Sequence, residues 1–214
     1  MENVAERKKR VKSIIRILRK TYPDARLALD FNTPLELLIA LILAAQCTDE
    51  RVNRVTPILF RKYRTAKDWM NSDRAELEQE IHTTGFFRQK AASIQKSTTA
   101  LVEQFNGEVP RQLEELLTLP GVGRKTANIL RGNAFGEPAI GVDTHVARLS
   151  FRLALTQQTD PDKIEADVTA VVPKADQVRF CWLLQYHGRQ ICVARKPKCE
   201  TCVINELCPK QGVA

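Results

Sequence analysis

The sequence predicts an all-α protein, and three observations carry that prediction. No segment sustains the alternation of β-branched residues that marks a half-buried strand. Apolar residues instead recur at helical spacing along the chain. Glycine and proline stand between those segments as punctuation. With 43% hydrophobic residues in a chain of 214, there is apolar material for one large domain or two small ones sharing a core. The missing strand signal argues against Rossmann and barrel architectures.

The elements follow in order. The first twenty residues are basic, with Ile14, Ile15, Ile17 and Leu18 mixed among charges. They lack the apolar core of a signal peptide. Thr33-Pro34-Leu35-Glu36 opens a helix: Thr33 caps, Pro34 fits the first helical position, and Glu36 completes a capping box. Leu37, Leu38, Ile39, Leu41, Ile42 and Leu43 then make that helix apolar on nearly all sides, as a central buried helix is. It is too short to span a bilayer. Val52, Val55 and Leu59 share one helical face, and Ile94, Thr98, Leu101, Val102 and Phe105 share another. Ser72 with Asp73 marks a further helix start. Gly107, Pro110, Gly121, Gly132 and Gly136 punctuate the middle. Ile164, Val168 and Val171 predict a late helix, and Val178, Trp182 and Tyr186 the next.

Charge narrows the partner. The chain has 33 basic and 25 acidic residues, a net +8, which favours a polyanion such as nucleic acid or an acidic membrane surface. Without a leader or a spanning segment, the expected compartment is the cytoplasm, with nucleoid association in a cell without a nucleus. Cysteines there are reduced.

Four of the six cysteines crowd near the C-terminus: Cys192, Cys199, Cys202 and Cys208. Four thiolates that close in sequence can surround one metal centre. Structural zinc sites usually use two C-x2-C knuckles, and only one such pair stands here. A cubic iron–sulfur cluster also takes four thiolates, so spacing leaves zinc and iron–sulfur both open. Cys47 and Cys181 stand apart and read as small buried core residues. Arg195, Lys196 and Lys198 lie between the first two clustered cysteines. A loop pinned by metal would hold these cations where they can contact phosphate.

Leu119-Pro120-Gly121-Val122-Gly123-Arg124-Lys125-Thr126-Ala127 lies between two helical segments. A Gly-x-Gly turn there brings backbone close to a ligand and aims N–H groups outward from the positive end of the next helix. That suits a phosphate. By itself the turn is also a plain helix connection. Lys125 falls in the first turn of the second helix, where a cation is unfavourable. A positive helix end and partial burial there favour the neutral amine that a nucleophile needs. Val142-Asp143-Thr144-His145 opens the following helix. Asp143 is either its N-cap or a carboxylate that serves Lys125.

Together these segments resemble the endonuclease III family of DNA glycosylases. The resemblance runs from the N-terminal helix to Cys208. It is carried by residues 119–127, by Val-Asp-Thr-His at 142–145, by Ala-Gln-Cys-Thr-Asp at 45–49, and by the four cysteines. It implies two α-helical lobes with duplex DNA bound across a cleft. One is a six-helix barrel carrying a helix-hairpin-helix, here residues 24–138. The other joins residues 1–23 to 139–214 and carries a [4Fe-4S] cluster on the four cysteines. Gly121, Val122 and Gly123 become the hairpin that grips the damaged strand. Lys125 falls on the family nucleophile and Asp143 on its catalytic carboxylate.

The resemblance also implies the reaction: a damaged nucleotide is flipped out, Lys125 displaces the base, and the Schiff base allows β-elimination that nicks the strand. The implied substrates are oxidised pyrimidines and abasic sites, and the implied state is a monomer away from membranes. Gln46 matches a residue that fills the hole left by the flipped base. Phe86 matches the apolar wedge, where leucine is common in the family. His145 matches a family histidine. Three rivals remain on sequence grounds. A mismatch adenine glycosylase lacks lysine at 125 and places a glutamate near Leu41. A thymine-mismatch glycosylase has a different residue at 125. A non-catalytic, metal-stapled DNA-binding module needs neither Lys125 nor Asp143.

Overall fold

A computed structural model describes residues 2–213, and no strand occurs among them. The helices are α1 (Val4–Thr21), α2 (Pro34–Leu43), α3 (Asp49–Lys62), α4 (Ala66–Met70), α5 (Arg74–Glu80) and α6 (Phe87–Gln104). They continue with α7 (Leu113–Leu116), α8 (Arg124–Ala134), α9 (Thr144–Arg152), α10 (Pro161–Val171) and α11 (Gln177–Gln190). The all-α expectation holds. The chain folds as two compact units: Leu27–Gly136, and the chain up to Arg26 together with the chain from Glu137 onward.

In the unit Leu27–Gly136, α2 is the axis, in keeping with its apolar run. Leu37, Leu38, Ile39, Ala40 and Leu43 have no exposed surface. The helix packs against α3, α6 and α8. Each fully buried leucine there contributes about 1.5–3 kcal/mol by leaving water. Thr33 caps α2 by accepting from Glu36 N at 3.1 Å, and Pro34 opens it. Glu36 does not close a capping box on Thr33. Its Oε2 instead accepts from Asn32 N at 2.6 Å and Asn32 Nδ2 at 3.1 Å, because Asn32 offers two donors one residue earlier. Asp73 caps α5 through Glu76 N at 2.8 Å. Gly132 does not break the chain: it is a buried interior residue of α8.

The other unit is built on α11, which packs against α9 and α1, while α10 packs against α1 and α9. Phe180, Cys181, Trp182, Leu183 and Leu184 are all buried on α11. Cys181 is thus the core residue its isolation suggested, and burial pushes its thiol up to about 12. Gly188 explains how closely α9 approaches. A Cβ there would sit 2.8 Å from His145 Nδ1 and 3.0 Å from Arg148 Nη2. Glycine inside a helix costs about 1 kcal/mol, and this close approach is its reason. Arg10 of α1 fastens the unit further, donating to Leu153 O at 2.9 Å and Leu207 O at 3.2 Å while pairing with Glu2.

Candidate active site and cysteine loop

The hairpin lies in the unit Leu27–Gly136. After α7, Val122 N donates to Leu119 O at 3.1 Å and closes the turn. Val122 is buried and anchors it, while Gly121 and Gly123 stay exposed on either side. Gly121 has φ +84, and a Cβ there would meet Ser93 Cβ at 3.0 Å. Both the backbone conformation and the space therefore call for glycine. Ser97 of α6 donates its hydroxyl to Pro120 O in a short hydrogen bond. The turn is thus bedded on α6.

Gly123 is the N-cap of α8, and no side chain caps that helix. Its first N–H groups stand at the positive end of the helix dipole. Lys125 is the second residue of α8 and is exposed. The partial burial expected of it is not found. Ala127, Asn128 and Leu130 form the inward face of α8, which leaves this part of the first turn toward solvent.

Gln46 and Phe86 are both exposed, and both hold left-handed backbone, φ 52 and φ 49. Neither is glycine, so each conformation is a local cost sustained by its surroundings. Gln46, Phe86, Gln89, Gly121 and Thr126 line one groove of about 600 Å³, counting its open mouth. The structure therefore gathers three residues singled out in the sequence, Gln46, Phe86 and Gly121, around one groove. Lys90 lines it too. It is 4% exposed, and its ammonium donates to Leu43 O and Thr84 O, each at 2.7 Å. Burial holds that ammonium below the usual lysine range.

Asp143 belongs to the other unit. It is the N-cap of α9, half-buried, and its Oδ1 accepts from Val146 N at 2.7 Å. The capping role is therefore real, and it orients the carboxylate. His145 stands two residues on, with Nδ1 3.1 Å from Arg148 Nη2.

The cysteine loop follows α11. Cys192, Cys199, Cys202 and Cys208 line a single space of about 420 Å³, counting its open mouth, with Arg152 and His187. The donors around it are suited to thiolates. Arg152 Nη1 donates to Cys192 Sγ at 3.2 Å, and Lys210 N donates to Cys208 Sγ at 3.4 Å. His187 Nε2 lies 3.3 Å from Cys202 Sγ, and its Nδ1 lies 3.0 Å from Tyr22 Oη. Burial pushes the imidazole down to about 4, so it is neutral at physiological pH. The imidazole thus bridges the Tyr22 hydroxyl and the Cys202 sulfur. Burial raises the thiols of Cys202 and Cys208, and the other cysteines of the loop add to it. A cationic iron core bound there would favour the thiolate forms. The donor set fits an iron–sulfur cluster held by all four.

Two arginines of α9 clamp the first stretch of the loop. Arg152 donates to Val193 O and Ala194 O, each at 2.8 Å, and Arg148 donates to Cys192 O at 3.0 Å. Beyond them Arg195, Lys196 and Lys198 are exposed, and Lys196 is left-handed at φ 53. Sequence reasoning missed Arg148, Arg152, His187, Tyr22 and Lys90. For the arginines a signal existed. They stand four residues apart on α9, on the face shared by Leu149, and basic residues on such a face seek buried acceptors.

The chain is similar to known proteins over nearly all of its length. Residues 39–174 match the family model of the HhH-GPD superfamily of base excision DNA repair proteins. Residues 192–208 match the iron-sulfur binding domain of endonuclease III. A curated protein named Endonuclease III from Synechocystis sp. (strain ATCC 27184 / PCC 6803 / Kazusa) is 52% identical, over 98% of this chain and 96% of its own. Two solved structures superpose with a TM-score of 0.88 at 42% identity, over 98% of this chain and 97% of theirs. One is a non-covalent endonuclease III–DNA complex, and the other a trapped endonuclease III–DNA covalent intermediate with an estranged adenine.

Proposed function

The chain belongs to the endonuclease III family of base-excision DNA repair proteins, and from that premise we propose that Lys125 is its nucleophile and Asp143 the carboxylate of the same reaction. The protein is a DNA glycosylase and abasic-site lyase that acts on duplex DNA and carries a [4Fe-4S] cluster. The observation that carries the proposal is the exposed amine of Lys125, one residue inside the uncapped start of α8 and directly behind the hairpin.

The hairpin N–H groups and the positive end of α8 hold a phosphate of the damaged strand. The target nucleotide leaves the stack. Phe86 wedges into the duplex and Gln46 fills the vacated position. The neutral amine of Lys125 attacks C1′, forming the N–C1′ bond as the glycosidic bond breaks and the base departs with that electron pair. Positive charge grows on the sugar during this step, and the Asp143 carboxylate stabilises it. The nitrogen then gives up a proton, and its lone pair forms the C1′=N bond of the Schiff base as the C1′–O4′ bond breaks and O4′ takes up a proton. The iminium makes the C2′ proton acidic. Its removal leaves a pair that forms the C2′–C3′ double bond and expels the 3′ phosphate. Water finally releases Lys125.

Cys192, Cys199, Cys202 and Cys208 would hold the cluster, and pinning their loop would present Arg195, Lys196 and Lys198 to the backbone. The substrates in this reading are oxidised pyrimidines and abasic sites. The acting form is a monomer in the cytoplasm, at the nucleoid. The bacterial origin of the curated relative supports that placement. No helix among the described residues is long and apolar enough to cross a membrane.

The test is borohydride reduction on duplexes carrying thymine glycol or an abasic site. A protein–DNA crosslink on both is expected. A crosslink on the abasic duplex alone removes thymine glycol from the substrates. None on either contradicts the lysine mechanism.

A further inference from the structure

A buried lysine needs a reason, because its charge gives up water and its long side chain gives up rotamers. Lys90 sits on the inward face of α6, beside Ala91 and Ile94, and is 4% exposed. A methionine would fill the same volume without that cost. What methionine cannot do is donate, and the ammonium of Lys90 donates to two carbonyls at 2.7 Å. Those carbonyls are not ordinary. Leu43 is the last residue of α2, and Thr84 is the last of the 3-10 turn His82–Thr84. Carbonyls at helix ends lack an onward partner and carry partial negative charge. Charge-assisted bonds to them are the strong kind.

The position of these two carbonyls gives the ammonium a functional consequence. Three residues after Leu43 comes Gln46, and two after Thr84 comes Phe86. Each of these tips holds a left-handed conformation that a non-glycine residue does not keep unaided. Both line the groove that Lys90 itself lines. One charged group therefore fixes the departure points of both tips.

We propose that Lys90 is a positioning residue for damage recognition, holding Gln46 and Phe86 in a single register through the carbonyls of Leu43 and Thr84. The inference rests on the reading of those two side chains as the duplex-probing pair. Lys90 touches neither DNA nor the reacting atoms. It acts through the loops it ties, and its effect is felt only where a duplex must be opened. A single strand presents its nucleotide without a wedge or a plug.

The experiment compares Lys90→Met with the unaltered holoenzyme in two assays. The first is single-turnover cleavage of an abasic site in duplex and in single-stranded DNA. The second is fluorescence of 2-aminopurine placed opposite a tetrahydrofuran site in a duplex, which rises when that base is unstacked. Lys90→Met is expected to lower the duplex-to-single-strand rate ratio at least tenfold. It is also expected to lower the fluorescence rise at saturating protein at least threefold, with the cluster absorbance intact. If Met prevents folding, Lys90→Gln, with one amide in place of the ammonium, is measured the same way.

A ratio within twofold of the unaltered protein overturns the proposal. So does an equal fall in both rates, the mark of a merely structural lysine. Gln46→Ala and Phe86→Ala run in parallel. If they abolish the fluorescence rise while Lys90→Met keeps it, the Lys90 inference alone fails. If neither of them lowers it, the reading of the two tips fails and the inference with it.

Discussion

The hairpin and the cysteine loop are the two regions proposed to meet DNA, and they are built in opposite ways. The hairpin depends on what is missing: no Cβ at Gly121, no side-chain cap on α8, and little cover over Lys125. The cysteine loop depends on what is added. Two arginines grip Cys192, and a histidine backed by a tyrosine stands against Cys202. A turn that must let a strand approach cannot be covered, so backbone conformation shapes it. A loop that must only present cations can be gripped from behind. Substitutions at the hairpin should therefore cost activity first, and substitutions behind the cysteine loop should cost stability first.

The sharpest test of that division is Lys125→Gln. Strand cleavage at an abasic site should fall by at least about 10³-fold, with the melting temperature unchanged, measured by gel incision and thermal unfolding. A parallel loss of stability would blur the comparison. Next comes Arg152→Met, which strips donors from Cys192 Sγ, Val193 O and Ala194 O. Leaving those part-buried acceptors unmet costs about 1–3 kcal/mol, or a fall of about 2–12 °C in melting temperature for a chain of this size. Iron should also leave faster in the presence of a chelator, followed by the loss of cluster absorbance. An unchanged melting temperature would show that the clamp is ornamental.

Gly121→Ala is expected to have a smaller effect, because Ser93 can yield slightly. Forcing an L-residue to φ +84 costs about 1–2 kcal/mol, and the outcome expected is weaker binding to an abasic duplex, read by anisotropy. The smallest effect belongs to the loop cations. Replacing Arg195, Lys196 and Lys198 with glutamine should flatten the salt dependence of duplex binding, by about 0.9 in the log–log slope for each phosphate left unneutralised. Melting should not change, since all three are exposed. An unchanged slope would remove them from the interface.

Local signals are legible in the sequence and distant ones are not. Thr33-Pro34 announces α2 because capping and a fixed φ act within one turn. The apolar run of α2 announces a buried axis for the same reason. The four cysteines and the hairpin are legible through residue type and spacing. The exposure of Lys125 is not, since it depends on which face of α8 the core takes. Glu36 departs from its expected capping box because a donor one residue earlier competes for it. Lys90 is invisible, since nothing in its neighbours shows that two carbonyls from other elements converge on its amine. Asp143 reads equally as a cap or as a carboxylate. It caps through Oδ1, and the capping role alone does not distinguish it from a reacting carboxylate in the sequence.

The central claim is that one particular amine, that of Lys125, makes the covalent bond to the sugar. The most direct measurement is mass spectrometry of the borohydride-trapped complex formed on an abasic duplex, digested to peptides. The account predicts that the sugar adduct lies on the peptide that contains Lys125. An adduct on the N-terminal amine or on any other lysine would contradict it.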